Sequence, residues 1–189
     1  MKLLGGYQSV AAAGLLSMAA WAPHAAAGHV NDVLEAQLNG LEEVPADASN
    51  TAIVGDPNGR AQAYVFGIDD DPKTLCYALV DVRRVAELEQ PPGGGRAAHI
   101  HEGTRGTNGP IVANLAWPQN GQAADCLTEG EAGKFPTGEA GIVQRILKNP
   151  SNFYVNVHNS VYPGGAIRGQ LVNTQDPEDD EMQQQSGSR

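Results

Sequence analysis

The feature that most constrains this chain is the period-two alternation of apolar and polar residues in short runs. Clusters of Gly, Pro, Asn and Asp separate the runs, and the sequence contains 23 glycines and 12 prolines. Side chains of a β-strand point alternately to its two faces, so this period indicates strands with one buried face. The predicted strands cover residues 33–39, 60–67, 74–82, 97–101, 111–114, 152–158 and 166–172.

These strands predict an all-β fold. Because they are short and regularly separated by turns, we expect an antiparallel Greek-key β-sandwich or barrel of about seven to nine strands. Residues 139–148 depart from the pattern, since four apolar residues recur there at helical spacing before Asn149-Pro150. The sequence therefore predicts one short helix, which we expect to cover an open end of the sandwich or barrel.

The two ends of the chain differ in composition from its middle. Lys2 precedes an apolar run that ends near Pro23, and Ala25-Ala26-Ala27 follows, so residues 1–27 are predicted to be a secretory signal peptide. A retained membrane anchor is the alternative, although the run is short for one. Residues 173–189 are acidic and rich in glutamine, which predicts a disordered tail. One domain, residues 28–172, remains between them, and it contains no segment apolar enough to span a membrane.

Charge and cysteine content limit the function classes. Lys and Arg total 12 against 22 Asp and Glu, and the net charge of −10 disfavours binding to nucleic acid. The sequence has two cysteines, Cys76 and Cys126. Thiols oxidise in an exported protein, so we expect a Cys76–Cys126 disulfide, with two free buried thiols as the alternative. The predicted location is secreted or periplasmic.

Three histidines carry the predicted chemistry. His99 and His101 are two residues apart in a predicted strand, so they project from one face while Ile100 projects from the other. His158 shares with Asn156 the face of its strand that lies opposite the apolar one. Imidazoles grouped on strands of an exported protein suit copper or zinc. His99, His101 and His158 are therefore candidate metal ligands, and surface histidines without a metal are the alternative.

Four motifs together resemble the chordin-type (CHRD) domain. They are AHIHEG at 98–103, GTNGPIV at 106–112, NPSNFYVNVH at 149–158 and PGGAIRGQL at 163–171. The resemblance runs from about Ala36 to Leu171 and includes both cysteines. In animals this domain is a repeated extracellular module of a growth-factor antagonist, so the resemblance implies an interaction module with an extracellular protein partner.

A second set of features is similar to the copper/zinc superoxide dismutase fold, a Greek-key barrel. It comprises a strand-borne His-x-His after a Gly-rich loop, a later strand with His158, and a closing Gly-rich strand with Arg168. This resemblance implies that His99, His101 and His158 bind copper and that Arg168 is a catalytic residue that attracts superoxide. The alternative for Arg168 is an ordinary pair with an acid.

The chain departs from the dismutase pattern at one place. No histidine lies between His101 and His158, so the bridging ligand and the zinc site have no candidates. The resemblance is therefore to a copper-only form with one ion, and zinc is less favoured because it is redox-inactive.

Three functions fit these observations. The first is a copper-only superoxide dismutase, and the second is periplasmic copper storage or delivery through the same histidines. The third is an extracellular interaction module without metal. For each of these functions, the predicted Greek-key scaffold is superoxide-dismutase-like or immunoglobulin-like. A hydrolase is disfavoured because the sequence has no Gly-x-Ser-x-Gly motif.

Overall fold

The computed structural model describes residues 30–46, 52–85 and 97–174. The predicted signal peptide and nearly all of the predicted tail lie outside these residues. The described ranges contain nine strands and one α-helix, α1 (Ile142–Lys148). The strands are β1 (Val30–Asn39), β2 (Arg60–Ile68), β3 (Asp71–Arg83), β4 (Ala98–Glu102), β5 (Ile111–Leu115), β6 (Ala123–Thr128), β7 (Phe153–Val157), β8 (Ile167–Gln170) and β9 (Val172–Asn173). The predicted all-β fold with one short helix is confirmed.

The strands form a single antiparallel sheet. Their order is β5-β4-β7-β8-β1-β2-β3-β6, and β9 pairs with β1. The two ends of this path approach each other, because Asn114 N donates a hydrogen bond to Lys134 O at 2.8 Å and Ala116 N donates to the Tyr77 hydroxyl at 2.6 Å. The sheet is thus a nearly closed barrel, and the chain crosses between its sides after β3 and again after β6, as Greek-key connections do.

The interior of the barrel is one hydrophobic core. Strands contribute alternate residues to it, as the sequence period predicts, and Leu34, Val65, Ile100 and Val155 are each fully buried. Burial of this apolar area is the main term that favours the fold, at roughly 25 cal/mol per Å².

The helix α1 adds four buried side chains to this core: Ile142, Val143, Ile146 and Leu147. It packs against β2 and β3. The helix begins three residues later than predicted, because Gly141 has a left-handed φ of 82°. The Glu129 carboxylate then accepts hydrogen bonds from the backbone N–H groups of Gly141 and Val143 at 2.9 and 3.0 Å, which caps the helix start. In the described part of the chain, no helix is long and apolar enough for a membrane span.

The sequence pattern missed one strand, β6. Of its six residues only Leu127 is buried, so the apolar alternation that marks the other strands is absent. Cys126 of β6 lies directly opposite Cys76 of β3, with the two Cα atoms 4.0 Å apart. The predicted disulfide is present and links positions separated by 50 residues.

Candidate metal centre

Adjacent strands bring the three predicted histidines together. β4 lies between β5 and β7, and its His99 and His101 are opposite Asn156 and Tyr154 of β7. His158 directly follows β7, and its backbone N–H donates to Ala97 O at 2.7 Å. Strand parity therefore places all three imidazoles on the same side of the sheet, opposite the core.

The three imidazoles form a compact cluster. One ring nitrogen from each of His99, His101 and His158 lies within 4.8 Å of those of the other two. The ring centroids are 5.1 to 6.1 Å apart. Nitrogens bound to one zinc or copper ion at about 2.0 Å are at most roughly 4 Å apart, so a ring movement of about 1 Å brings the set into coordination distance.

Backbone carbonyls orient two of these rings. His101 Nδ1 lies 3.0 Å from Gly109 O, and His158 Nδ1 lies 3.0 Å from Pro163 O. A carbonyl oxygen can only accept, so Nδ1 carries the proton in both rings and Nε2 keeps its lone pair. Both Nε2 atoms are buried without a hydrogen-bond partner among the described residues. This tautomer, fixed through the second ring nitrogen, is the one that metal-binding histidines use.

Burial also keeps the imidazoles of His101 and His158 uncharged at physiological pH, because it lowers their pKa values. Burial lowers the pKa of His101 to about 4, against a smaller opposing effect of the Gly109 carbonyl. Burial lowers the pKa of His158 as well. A metal ion would therefore compete with almost no proton at these two nitrogens near neutral pH.

The histidine face of the sheet is covered rather than open to solvent. The sequence indicated only that Asn156 and His158 point away from the core, yet every residue of β7 is buried. The loop after β4 lies over this face, where Gly109 N donates to the Tyr154 hydroxyl at 3.2 Å. The loop after β7 covers another part through Pro163. His99 and His101 are consequently buried, while His158 is half-buried.

Arg168 lies behind the cluster. Its Cζ is 3.4 Å from the centroid of the Tyr154 ring. The Tyr154 ring in turn stacks on the His101 ring, and their centroids are 4.8 Å apart. Arg168 is only 1% exposed, and its guanidinium donates to Thr107 O at 2.8 Å. Arg168 thus holds the loop whose Gly109 carbonyl orients His101. Its role in attracting superoxide stays a prediction.

A cavity of about 450 Å³ adjoins the cluster. His101, Tyr154 and Asn156 line it, together with Glu43 from the segment after β1. Glu43 is 8% exposed, and its Oε2 accepts a hydrogen bond from Asn156 Nδ2 at 3.3 Å. Burial raises the pKa of Glu43 to about 7, although the positive charge of Arg168 acts in the opposite direction.

Sequence reasoning missed Glu43. The residue follows a short 3-10 turn, Gly40–Glu42, and belongs to no periodic element. It is separated by 113 positions from Asn156, its hydrogen-bond partner. The sequence feature that relates to Glu43 is Gly165, because a Cβ added there would overlap the Glu43 carboxyl group.

Fold and site together define a small antiparallel β-barrel domain with a shielded cluster of three histidines that can hold a metal ion. The family model described as the CHRD domain matches residues 34–171, and the chain belongs to this family. Comparisons with curated proteins and with solved structures give no match.

Proposed function

We propose that this CHRD-domain protein is exported, binds one copper ion through His99, His101 and His158, and in its copper form dismutates superoxide. The observation that carries the proposal is the pair of buried, unpartnered Nε2 atoms of His101 and His158 within the three-histidine cluster. Buried polar atoms normally have a partner, and an imidazole nitrogen with a lone pair finds one in a metal ion.

The donor set favours copper. It consists of imidazoles alone among the described residues, and the two cysteines are joined in a disulfide, so no thiolate is available. Imidazole suits both copper and zinc, and the general affinity order of nitrogen sites places copper(II) above zinc. Copper also supplies the one-electron chemistry that zinc lacks.

Copper held by His99, His101 and His158 would supply the one-electron chemistry by which two superoxide ions and two protons give O2 and H2O2. The chain's own residues hold and shield the site. The carbonyls of Gly109 and Pro163 fix the rings, and the cavity beside His101 gives a small ligand room to approach. The net charge of −10 opposes the approach of an anion, so attraction must be local. The charge of Arg168 near Tyr154 is the proposed source of it.

Titration of the protein from residue 28 onward with copper(II) tests the proposal, followed by a superoxide decay assay. We expect one equivalent to bind tightly, and His101→Ala and His158→Ala to lose both binding and turnover. His29→Ala is the control for copper held at the chain terminus by the amino group of Gly28 and the imidazole of His29, and this variant should keep both tight binding and turnover. Binding without turnover would favour storage or delivery. If the folded protein binds no copper, the interaction module becomes the correct function.

Export has independent support. The Cys76–Cys126 disulfide is of a kind that persists in oxidising compartments. Expression of the full sequence with its predicted signal peptide should yield an exported protein that begins at Gly28. An unprocessed protein that stays in the cytoplasm would contradict this part of the proposal.

A further inference from the structure

The cavity beside the histidines contains a second group of buried polar atoms. Glu43 Oε1 and Asn156 Oδ1 are both buried, and neither has a hydrogen-bond partner within the part of the chain that the structure describes. Their residues are 8% and 4% exposed. Polar atoms that are so deeply buried are costly unless a ligand or a proton satisfies them. Both residues line the cavity that His101 also lines, so a ligand bound there can reach His101 and this pair together.

The backbone around Glu43 leaves space for its side chain. A Cβ at Gly55 would lie 2.5 Å from Glu43 Cγ, and one at Gly165 would overlap the carboxyl group. Glycines therefore border the side chain on two sides, while Asn156 fixes one carboxyl oxygen through a hydrogen bond. The acid occupies a defined position, unlike a solvated surface glutamate.

The charged and titratable groups around Glu43 come from several elements. Arg168 of β8 acts on it electrostatically. His101 of β4, Tyr154 of β7 and Tyr162 line the same cavity. Glu42, the preceding residue, forms a salt bridge with Arg105 of the loop after β4. The positive charge of Arg168 thus favours the ionised form of the Glu43 carboxyl, and burial opposes it.

We propose that this cavity binds a small inorganic anion together with one proton, which Glu43 holds and donates in a hydrogen bond to the anion. The inference rests on the proposed copper site, which supplies the positive charge that attracts the anion. A divalent ion close by favours the ionised carboxylate, and an incoming anion favours the neutral acid. Binding of the anion is therefore coupled to uptake of a proton.

This coupling has a direct use in superoxide reduction. One superoxide, one electron and two protons give one H2O2, and copper held by the three histidines would supply the electron. Glu43 supplies one of the two protons to the oxygen that gains the electron and is reprotonated from water, and the second proton comes from solvent. Glu43 is thereby the proposed proton donor to an anion in the cavity that it shares with His101, whereas Asn156 positions its carboxyl group.

Azide binding to the copper(II) protein tests the inference. Its affinity, followed by the absorption change of the copper, should fall by up to about tenfold per pH unit above the pKa of Glu43 in the wild-type protein. Glu43→Gln keeps the size and the neutral form of the side chain, so its azide affinity should be almost independent of pH. Glu42→Gln, the matched control one residue away, should keep the wild-type slope.

The outcomes separate the two proposals. If the wild-type protein binds no copper, the proposed function fails. If copper binds but the azide affinity of Glu43→Gln depends on pH as that of the wild-type protein does, the anion inference is wrong. A second measurement needs no metal: the carboxyl carbon resonance of Glu43 in the metal-free protein should titrate near pH 7. A titration near the ordinary value for glutamate would overturn the inference even if Glu43→Gln failed to fold.

Discussion

Replacing Glu43 by Gln should change how the stability of the metal-free protein depends on pH. Folding raises the pKa of Glu43 from 4.5 to about 7, chiefly through burial. The folded state therefore prefers the neutral acid, and the protein loses free energy of unfolding as the pH rises from the unfolded value through 7. Since each pKa unit corresponds to about 1.4 kcal/mol, the full penalty of the ionised, buried carboxylate is about 3 kcal/mol.

The Gln side chain never ionises, so the variant avoids this penalty at high pH. Urea unfolding at about pH 5 and pH 8 should show the stability difference, variant minus wild type, growing by about 2 to 3 kcal/mol between the two pH values. A constant cost of placing an amide at this position cancels in that comparison. The burial of neutral His101 makes the free energy of unfolding rise with pH in both proteins, so this contribution also cancels in the comparison. A difference that does not change with pH would refute the buried, protonated state of Glu43.

Three further predictions concern the framework of the site. Arg168→Lys should lower the free energy of unfolding by about 2 kcal/mol in chemical denaturation, because an ammonium group cannot replace the guanidinium contacts to Thr104 O and Thr107 O. An unchanged free energy of unfolding would contradict the role of these contacts in holding the loop. Gly165→Ala should destabilise the protein by about 1 to 3 kcal/mol, because Gly165 has a φ of 142° and an added Cβ would overlap the Glu43 carboxyl group. Gly164→Ala, with nothing within 4 Å of its added Cβ, should have a much smaller effect in the same assay, and equal effects would contradict the strained, crowded position described for Gly165. Reduction of the Cys76–Cys126 disulfide should lower the melting temperature and remove about 2 to 4 kcal/mol of stability, and a reduced protein of unchanged melting temperature would show that the link has no stabilising effect.

Local sequence patterns predicted much of the fold and part of the site. Strand parity was sufficient to place His99 and His101 on one face and Ile100 in the core, because this depends only on the period of a strand. The pairing of β4 with β7, which brings His158 to the same place, is a long-range contact, and it came from family resemblance.

Other elements left too weak a signal in the sequence. Strand β6 lies at the end of the sheet path and exposes most of its side chains, so hydrophobic alternation could not mark it. Glu43 acquires its chemistry from burial by segments distant in sequence, including Gly165. A glutamate in a short loop segment has no local pattern that distinguishes it from a solvated acid.

The most direct test of the three-histidine copper site is a count of the nitrogen nuclei coupled to the metal. Paramagnetic resonance of the protein with one equivalent of copper(II) should show coupling to three imidazole nitrogens, from His99, His101 and His158. His158→Ala should reduce the count or abolish tight binding, while His29→Ala should leave the spectrum unchanged. The proposed site would be contradicted by a wild-type spectrum of copper bound to oxygen ligands or to the chain terminus, if His158→Ala left that spectrum unaltered.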